Sequence, residues 1–599
     1  MKCGAGRGPA PDRGMDLMKF MFSYLGKYRR LVVLCISMKI AGTILELLLP
    51  YVLEYMIDTA APTQNIRVIL FWGAVMLALA AAVRFLNVTA NRISVKSAKG
   101  AAYDLRRDLF RRSLRLSGNQ ADAIGLPSLT SRMTSDSYNV QNFLQSAQAL
   151  GIRAPIMLIG GICITLPMDV GLAAILCVLA PIMLAVAIGV SMKGIPLYDR
   201  VQQSVDEIVR IMRENISGIR VVKALSKVDY ERGRFAAAND VLTRRERRAG
   251  VVMALPGPLM TLALNLGLTL VVVIGAVRVN SGMTKPGVIL AFLTYFNMIL
   301  MGVMGLNRVF MMMSKANASA RRIEEVIRMP EGLPPLPEAD CARTDLDAHI
   351  VFDHVSFCYG ADRTDHRDRQ MSLSDLSFTM KRGGSLGIIG ATGSGKTTII
   401  NLLMRFYDPT EGHIFVDGRD VRSYDGDVLH RKFGVVLQND VIFARTLAEN
   451  IDFGREVSEE EIRTAAADAQ AEDFITAYDD GFRHTAAVRG ANLSGGQRQR
   501  ILIARALAAR PEILILDDAS SALDYRTDAA LRSVIREQYR GTTTIVVAQR
   551  VSSILTLDDI LVLDEGEVIG HGTHAELMEN CPAYREIYET QMGERTEVN

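Results

Sequence analysis

The run Gly390-Ala-Thr-Gly-Ser-Gly-Lys396-Thr397-Thr398 has the residue types and spacing to hold phosphate. In the pattern GxxxxGK[ST], glycines let successive backbone N–H groups turn inward around phosphate oxygens, and a lysine adds a positive charge. Gly390, Thr392, Gly393, Ser394 and Gly395 make the cradle, Lys396 supplies the ammonium, and Thr397 and Thr398 supply hydroxyls, the first placed to ligate Mg²⁺. A second anion site of backbone donors is offered by Leu493-Ser494-Gly495-Gly496-Gln497, which opens a helical run. Asp517 ends the apolar run Ile513-Leu-Ile-Leu516 and is placed as a Mg²⁺ carboxylate, and Gln438 ends Phe433-Gly-Val-Val-Leu437.

Elements must position these groups. Ser385-Leu-Gly-Ile-Ile389 reads as a strand leading into the glycine loop, and Thr398–Met404 as the helix leaving it, so the positive end of the helix dipole faces the same anion. Val351–Tyr359 alternates like a strand and stops at a turn on Gly360; the charged stretch Arg363–Arg369 reads as an exposed insertion. Gln499–Leu507 is a helix, and Thr544–Ala548 is a strand that ends at Gln549.

At 599 residues the chain exceeds a single core, and its charge is uneven. Charged residues make up 22% and the net charge is +3, which argues against nucleic acid as a partner. Seven scattered cysteines without a CxxC spacing indicate neither a disulfide framework nor a zinc site. Residues 1–14 are rich in Gly, Pro and Arg and lack the apolar centre of a cleavable leader.

Six apolar stretches, at about 31–57, 66–88, 142–166, 169–191, 251–279 and 286–313, approach the ~20 residues that a ~30 Å hydrocarbon layer requires. Residues 15–30 mix apolar and basic groups as an interfacial helix does. The loops after the second and fourth stretches are rich in Arg and Lys while the alternate loops are short and nearly free of them, which predicts both termini on the cytoplasmic side of a cell (plasma or inner) membrane. No proline occurs from Ile66 to Ser117, so about 52 residues at 1.5 Å each predict a helix of roughly 78 Å. Long helices of this kind project beyond the bilayer and turn near Gly118–Pro127 and Asn215–Leu225. Lys39, Glu46, Arg84 and Arg153 fall within the spans, where a charge faces either an internal water-filled path or a partner on another helix. Met298, Met301 and Met304 repeat every three residues in the last span, as packing or as a surface for varied apolar cargo. The proline-rich Met329–Pro337 marks a boundary, giving a tail and interfacial helix at 1–30, a membrane domain at 31–317, a linker at 318–348, a nucleotide-binding domain at 349–590 and a tail at 591–599.

The order of glycine loop, Gln438, Leu493–Gln497, Asp517 and Asp524 resembles the ABC ATPase domain, and the whole chain after about residue 15 resembles an exporter-type ABC half-transporter. The stretches Ser131–Asp136 and Glu214–Phe235 are similar to that family's first and second intracellular loops. The resemblance implies an all-α transmembrane domain of six helices with long cytoplasmic extensions, followed by an α/β P-loop ATPase domain of ABC type. It implies ATP and Mg²⁺ as ligands, with Tyr359 against adenine and Gln438 beside Thr397 and Asp517 at the metal. It also implies a head-to-tail pair in which Ser494, Gly495, Gly496 and Gln497 of one chain complete the ATP site of the other.

The chain departs from the family at Asp518, where a glutamate normally activates water, and at Gln549, where a histidine normally touches the γ-phosphate. Val488 stands where an acidic residue is common. A shorter carboxylate and an uncharged amide predict slow hydrolysis at this chain's own site. With the Leu493–Gln497 motif intact, the pattern predicts pairing with a non-identical half-transporter and export of an amphipathic small molecule, lipid or peptide. Import of a metal chelate or other solute by the same fold, and an ATP-gated channel or regulator, are the alternatives.

Overall fold

The computed structural model describes residues 13–344, 346–359 and 371–593. The turn at Gly360 and the stretch Arg363–Arg369 lie outside the described residues, as do 1–12 and 594–599. The chain forms two compact units, one of Met1–Leu114 with Leu126–Met329, the other of Arg115–Gly125 with Pro330–Asn599.

Helices run in the order α1 (Arg13–Ser23), α2 (Arg29–Tyr55), α3 (Ile66–Ser113), α4 (Gly118–Ile124), α5 (Leu126–Ser131), α6 (Ser137–Met168), α7 (Val170–Ser217), α8 (Ile219–Ala224), α9 (Val228–Ala254), α10 (Pro256–Asn280) and α11 (Pro286–Ile327). Among the described residues, six helical stretches are long and apolar enough to cross a membrane: Gly26–Thr63, Ile66–Ser113, Leu126–Met168, Val170–Ser217, Val228–Asn280 and Pro286–Ile327. The fourth begins at Val170 and not at Asp169, because the Asp169 carboxylate caps it, accepting the N–H groups of Gly171 and Leu172 at 2.8 and 3.0 Å. The 48 residues of α3 give about 72 Å at 1.5 Å each, more than twice the hydrocarbon layer. It stops before Ser117 because that serine caps α4 in a reciprocal pair with Gln120. The second turn is α8, entered at Gly218, and its hairpin is held by Asn215 to Glu231 at 2.9 Å and Arg234 to Glu214 at 2.8 Å.

Charges inside the apolar stretches reach across to neighbouring helices. The Lys39 ammonium donates to the Asn91 side-chain oxygen at 3.0 Å, and Arg153 donates to Glu46 at 2.7 Å, joining α2 to α3 and to α6; Arg84 faces outward. The buried Tyr295 hydroxyl donates to the Leu47 carbonyl at 2.7 Å, tying α11 to α2. Met298 is half-buried, whereas Met301 and Met304 are exposed. At the other end of α6, the buried Asp136 carboxylate accepts the Ser319 hydroxyl at 2.8 Å and the Arg322 guanidinium, and Arg132 pairs with Glu325 at 3.1 Å.

The second unit holds two sheets. The antiparallel one has the order β2-β1-β4-β5, with β1 Ile350–Phe357, β2 Leu373–Met380, β4 Glu411–Val416 and β5 Arg419–Asp420. The other has the order β10-β9-β3-β8-β7-β6, with β3 Ser385–Gly390, β6 Phe433–Val436, β7 Ile513–Asp517, β8 Thr543–Val547, β9 Asp559–Asp564 and β10 Glu567–Gly572; only β10 runs antiparallel. Ile513–Asp517 is buried along its whole length, as a parallel strand covered on both faces must be. The helix α12 (Lys396–Leu403) packs with the facing sides of both sheets in one core. Around that core, Lys432 bridges Asp417 and Glu512 at 2.9 and 3.0 Å, and His349 meets the Thr543 hydroxyl at 2.6 Å. The short helix α4 belongs to this unit, where the Tyr407 hydroxyl donates to Asp122 at 2.7 Å and the Gly118 N–H to the Phe406 carbonyl at 3.3 Å.

Asp136→Ala removes the shared acceptor of Ser319 and Arg322. It is expected to lower stability by about 1.5–3 kcal/mol, the worth of hydrogen bonds to a charged group. Thermal unfolding of the detergent-solubilised protein reads this, with Asp136→Asn falling in between.

Candidate functional site

A cleft of about 440 Å³ opens at the C-terminal ends of β3, β7 and β8. It is lined by Tyr359, Met371, Ser372, Thr392, Gly393, Gly395, Lys396, Thr397, Thr398, Gln438, Asp517, Asp518, Val547, Ala548 and Gln549. Gly390 and Ser394 stand behind the lining as structural members of the loop: a β-carbon on Gly390 would collide with the Leu563 carbonyl oxygen and the Ser394 hydroxyl. Gly395 has φ +98° and lies so close to Ser372 that an added β-carbon would sit 2.7 Å from its carbonyl oxygen. Both positions admit glycine alone, for reasons of space at the first and of backbone conformation as well at the second.

Lys396 closes on its own loop, donating to the carbonyls of Gly390 and Ala391 at 2.8 and 2.7 Å. Burial pulls its pKa down, while Asp517 and Asp518 pull it up. The Gly390 and Ala391 carbonyls are neutral acceptors, which an ammonium exchanges readily for the stronger bonds of a phosphate oxygen. Thr397 donates its hydroxyl to Asp517 at 3.1 Å, bringing two hard oxygen ligands side by side. Asp517 is buried, which raises its pKa above the carboxylate range; the Thr397 hydrogen bond opposes the rise and the neighbouring Asp518 charge adds to it. Gln438 lines the same cleft. Tyr359 presents its hydroxyl to Thr398 at 3.2 Å and packs edge-on to Phe357 and Tyr407, leaving part of the ring exposed.

Asp518 and Gln549 meet in the cleft. Gln549 donates its amide N–H to the Asp518 carboxylate at 3.0 Å. Asp518 has φ +53°, its N–H donates to the Val547 carbonyl at 2.9 Å, and its carbonyl accepts the amide of Gln499 at 2.9 Å. Burial raises the pKa of its carboxyl, against Arg550 and Lys396. Asp518 is therefore held at backbone and side chain together.

Ser494, Gly495, Gly496 and Gln497 are not brought to this cleft. They open the helix Gly495–Ala508, where Ser494 and Gln497 cap each other reciprocally, at 3.2 Å onto the serine hydroxyl and 2.8 Å onto the glutamine oxygen. The cap leaves the N–H groups of Gly495 and Gly496 without an intrahelical acceptor. Val488 is exposed in the segment before them.

Two residues that sequence reasoning passed over support the site. Gln499 links the Asp518 carbonyl to the Ala522 N–H, the latter at 3.1 Å. Gln591, in the C-terminal helix Pro582–Met592, accepts from the Val551 N–H at 2.8 Å and donates to the Gln549 carbonyl at 2.9 Å, holding the segment that carries Gln549. Gln499 lies two residues beyond a motif already singled out; Gln591 carries no sequence signal.

The donor set fits a nucleotide triphosphate with a hard cation: a glycine cradle, an ammonium on exchangeable acceptors, a paired hydroxyl and carboxylate, and a partly exposed aromatic ring. Comparison with known proteins agrees. Residues 32–304 match the ABC transporter transmembrane region family, and residues 373–521 the ABC transporter family. An uncharacterized ABC transporter ATP-binding protein of Mycobacterium tuberculosis is 34% identical over 96% of this chain and 98% of its own length. A multidrug efflux ATP-binding/permease protein of the same organism is 31% identical over 94% of this chain, which spans 46% of that protein. Among solved structures, a bacterial Atm1-family ABC exporter with ATP bound superposes with a TM-score of 0.78 at 25% identity, covering 94% of this chain and 98% of the other. The chain belongs to the ABC transporters, as a multi-pass half-transporter of the exporter type with its membrane region fused to its own ATPase domain.

Proposed function

We propose that this chain is one subunit of a heterodimeric exporter that moves an amphipathic small molecule, lipid or peptide out of the cytoplasm, and that its own phosphate loop clamps ATP far more than it hydrolyses it. The observation that carries this reading is the hydrogen bond of 3.0 Å between Gln549 and Asp518. A general base must reach the proton it removes. Asp518 is one methylene shorter than the family's glutamate, and one of its oxygens already accepts from Gln549. Gln549 in turn gives one of its two amide N–H groups to that carboxylate and carries no charge toward a phosphate.

Binding functions persist. Gly390, Thr392, Gly393, Ser394 and Gly395 shape the cradle, Lys396 and Thr398 face the phosphates, and Tyr359 offers its ring to the base. Thr397, Asp517 and Gln438 would hold Mg²⁺, which would neutralise charge on the phosphates when bound. Ser494, Gly495, Gly496 and Gln497 keep the capped helix start that completes a phosphate site from outside, so turnover runs at the site shared with a non-identical partner. The relative named as a multidrug efflux protein, of which this chain spans just under half, supports efflux as the direction. The basic loops support a cytoplasmic location for both termini.

Purified alone, the chain is expected to bind ATP and hydrolyse it slowly; rapid turnover by the chain alone would sink the proposal. In the pair, Ser494→Arg should silence most ATPase activity, whereas Asp518→Asn should leave most of it, and equal losses would point to two working sites. Asp518→Glu combined with Gln549→His should raise single-turnover hydrolysis at this site by about 10²-fold or more. In inverted vesicles carrying the pair, an amphipathic dye should accumulate inside on ATP addition, and depletion of the lumen would reverse the direction assigned.

A further inference from the structure

The ATPase unit contains a second cavity, of about 490 Å³, that the nucleotide chemistry does not use. It lies on the opposite face of β7 and β8: Leu516 and Val546 line it while their chain neighbours Asp517 and Val547 line the nucleotide cleft, as alternation along a strand requires. The helix Tyr525–Gln538 covers it, and Leu531, Ile535 and Tyr539 complete an apolar wall. Its size falls within the ~300–1,000 Å³ of ligand sites, and an apolar wall with a few polar groups at one side is their usual make-up.

Charge at the rim is one-sided. Arg532, Arg536 and Arg540 follow one another at intervals of four residues. Arg532 is spent on Asp528 at 3.0 Å, and Asp558 is spent on the N–H and hydroxyl of Ser385 at 2.8 and 2.7 Å. Among the described residues, the Arg536 side chain hydrogen-bonds only the neutral Thr556 hydroxyl, at 2.6 Å, and Arg540 has no hydrogen bond or carboxylate partner. A helix C-terminus favours cations, but it does not account for a cavity beneath them.

We infer that this cavity binds a small amphipathic carboxylate, its apolar body against Leu516, Val546, Leu531 and Ile535 and its charge at Arg536 and Arg540, and that occupancy changes the rate of ATP turnover. The link to turnover is covalent continuity. Ala519 and Ser520, next after Asp518, and Ser553, four residues after Gln549, are part of the lining, and the hydroxyls of Ser520 and Ser553 meet at 3.4 Å. A ligand there bears on both segments that carry the altered pair. The inference concerns the ATPase unit itself and holds whether the transporter pairs with its like or with a different subunit.

The test uses the full chain in lipid nanodiscs, with naphthalene-2-carboxylate and the uncharged naphthalene-2-carboxamide as probes in ligand-observed NMR, empty nanodiscs being subtracted. The carboxylate is expected to bind with a Kd at or below about 1 mM and the carboxamide at least tenfold more weakly. Arg536→Gln with Arg540→Gln, both at the surface, should weaken the carboxylate about tenfold or more and leave the carboxamide unchanged. Ile535→Trp should abolish both by filling the cavity. Saturating carboxylate should shift the slow ATPase rate of the unmodified full chain by twofold or more and that of the arginine double variant much less. Absence of binding, equal binding of the two probes, or carboxylate binding indifferent to the arginine pair would overturn the site, and an unchanged ATPase rate at saturation would overturn its link to turnover. Should Ile535→Trp fail to fold, the arginine pair decides alone.

Discussion

The parallel register of β3, β8 and β7 is the constraint on which the ATPase unit depends. Ile388 pairs with Val547, and Val547 pairs with Asp517, so the three strands end in step. Two residues past this row lie Gly390 and Gln549, and one past it Asp518. Groups from positions 390 to 549 therefore meet at one edge without any contact chosen for the purpose, which is why open parallel sheets bind ligands at the C-terminal ends of their strands. The antiparallel sheet and the bridge of Lys432 between Asp417 and Glu512 fix the layers around that edge.

Much of this was legible in the sequence because the signals are local. Strand, glycine loop and helix follow one another within Ser385–Leu403, and the conformations demanded of Gly390 and Gly395 are properties of single positions. The six apolar helices were legible because length and hydropathy suffice where lipid forbids unpaired backbone groups. The Asp518–Gln549 bond was not, since the residues are 31 apart and meet only through the register of β7 and β8. The same holds for Arg153 with Glu46, 107 apart, where composition showed two costly charges and not that one answers the other. Helix ends were misjudged by a few residues wherever a cap took priority: Asp169 serves as the cap of α7, and Ser117 caps α4 instead of continuing α3.

The capped start of Gly495–Ala508 and the nucleotide cleft are separate places in one unit, yet they are not independent. Gln499 sits one turn into that helix and bonds both the Asp518 carbonyl and the Ala522 N–H. Gln499 thus ties that helix to the backbone on which Asp518 is mounted. Gln591 fastens the Gln549 segment, so Asp518 and Gln549 are held by side chains from two helices, Gln499 on one and Gln591 on the other.

Asp518 and Gln549 have to be understood as one unit. Aspartate is among the few side chains that tolerate a left-handed backbone, and Asp518 has φ +53°. At that position its short carboxylate comes within 3.0 Å of the glutamine amide, a bond worth roughly 1.5–3 kcal/mol gross of solvent screening because one partner is charged. A glutamate at 518 facing Gln549 moves its oxygens about a bond length beyond the donor, and a histidine at 549 facing Asp518 exchanges an amide donor for a ring whose charge follows pH. Either single change breaks the existing bond without supplying the family's pair, and contacting residues of this kind couple instead of adding. Two positions that look independent along the sequence are in physical terms one hydrogen-bonded unit.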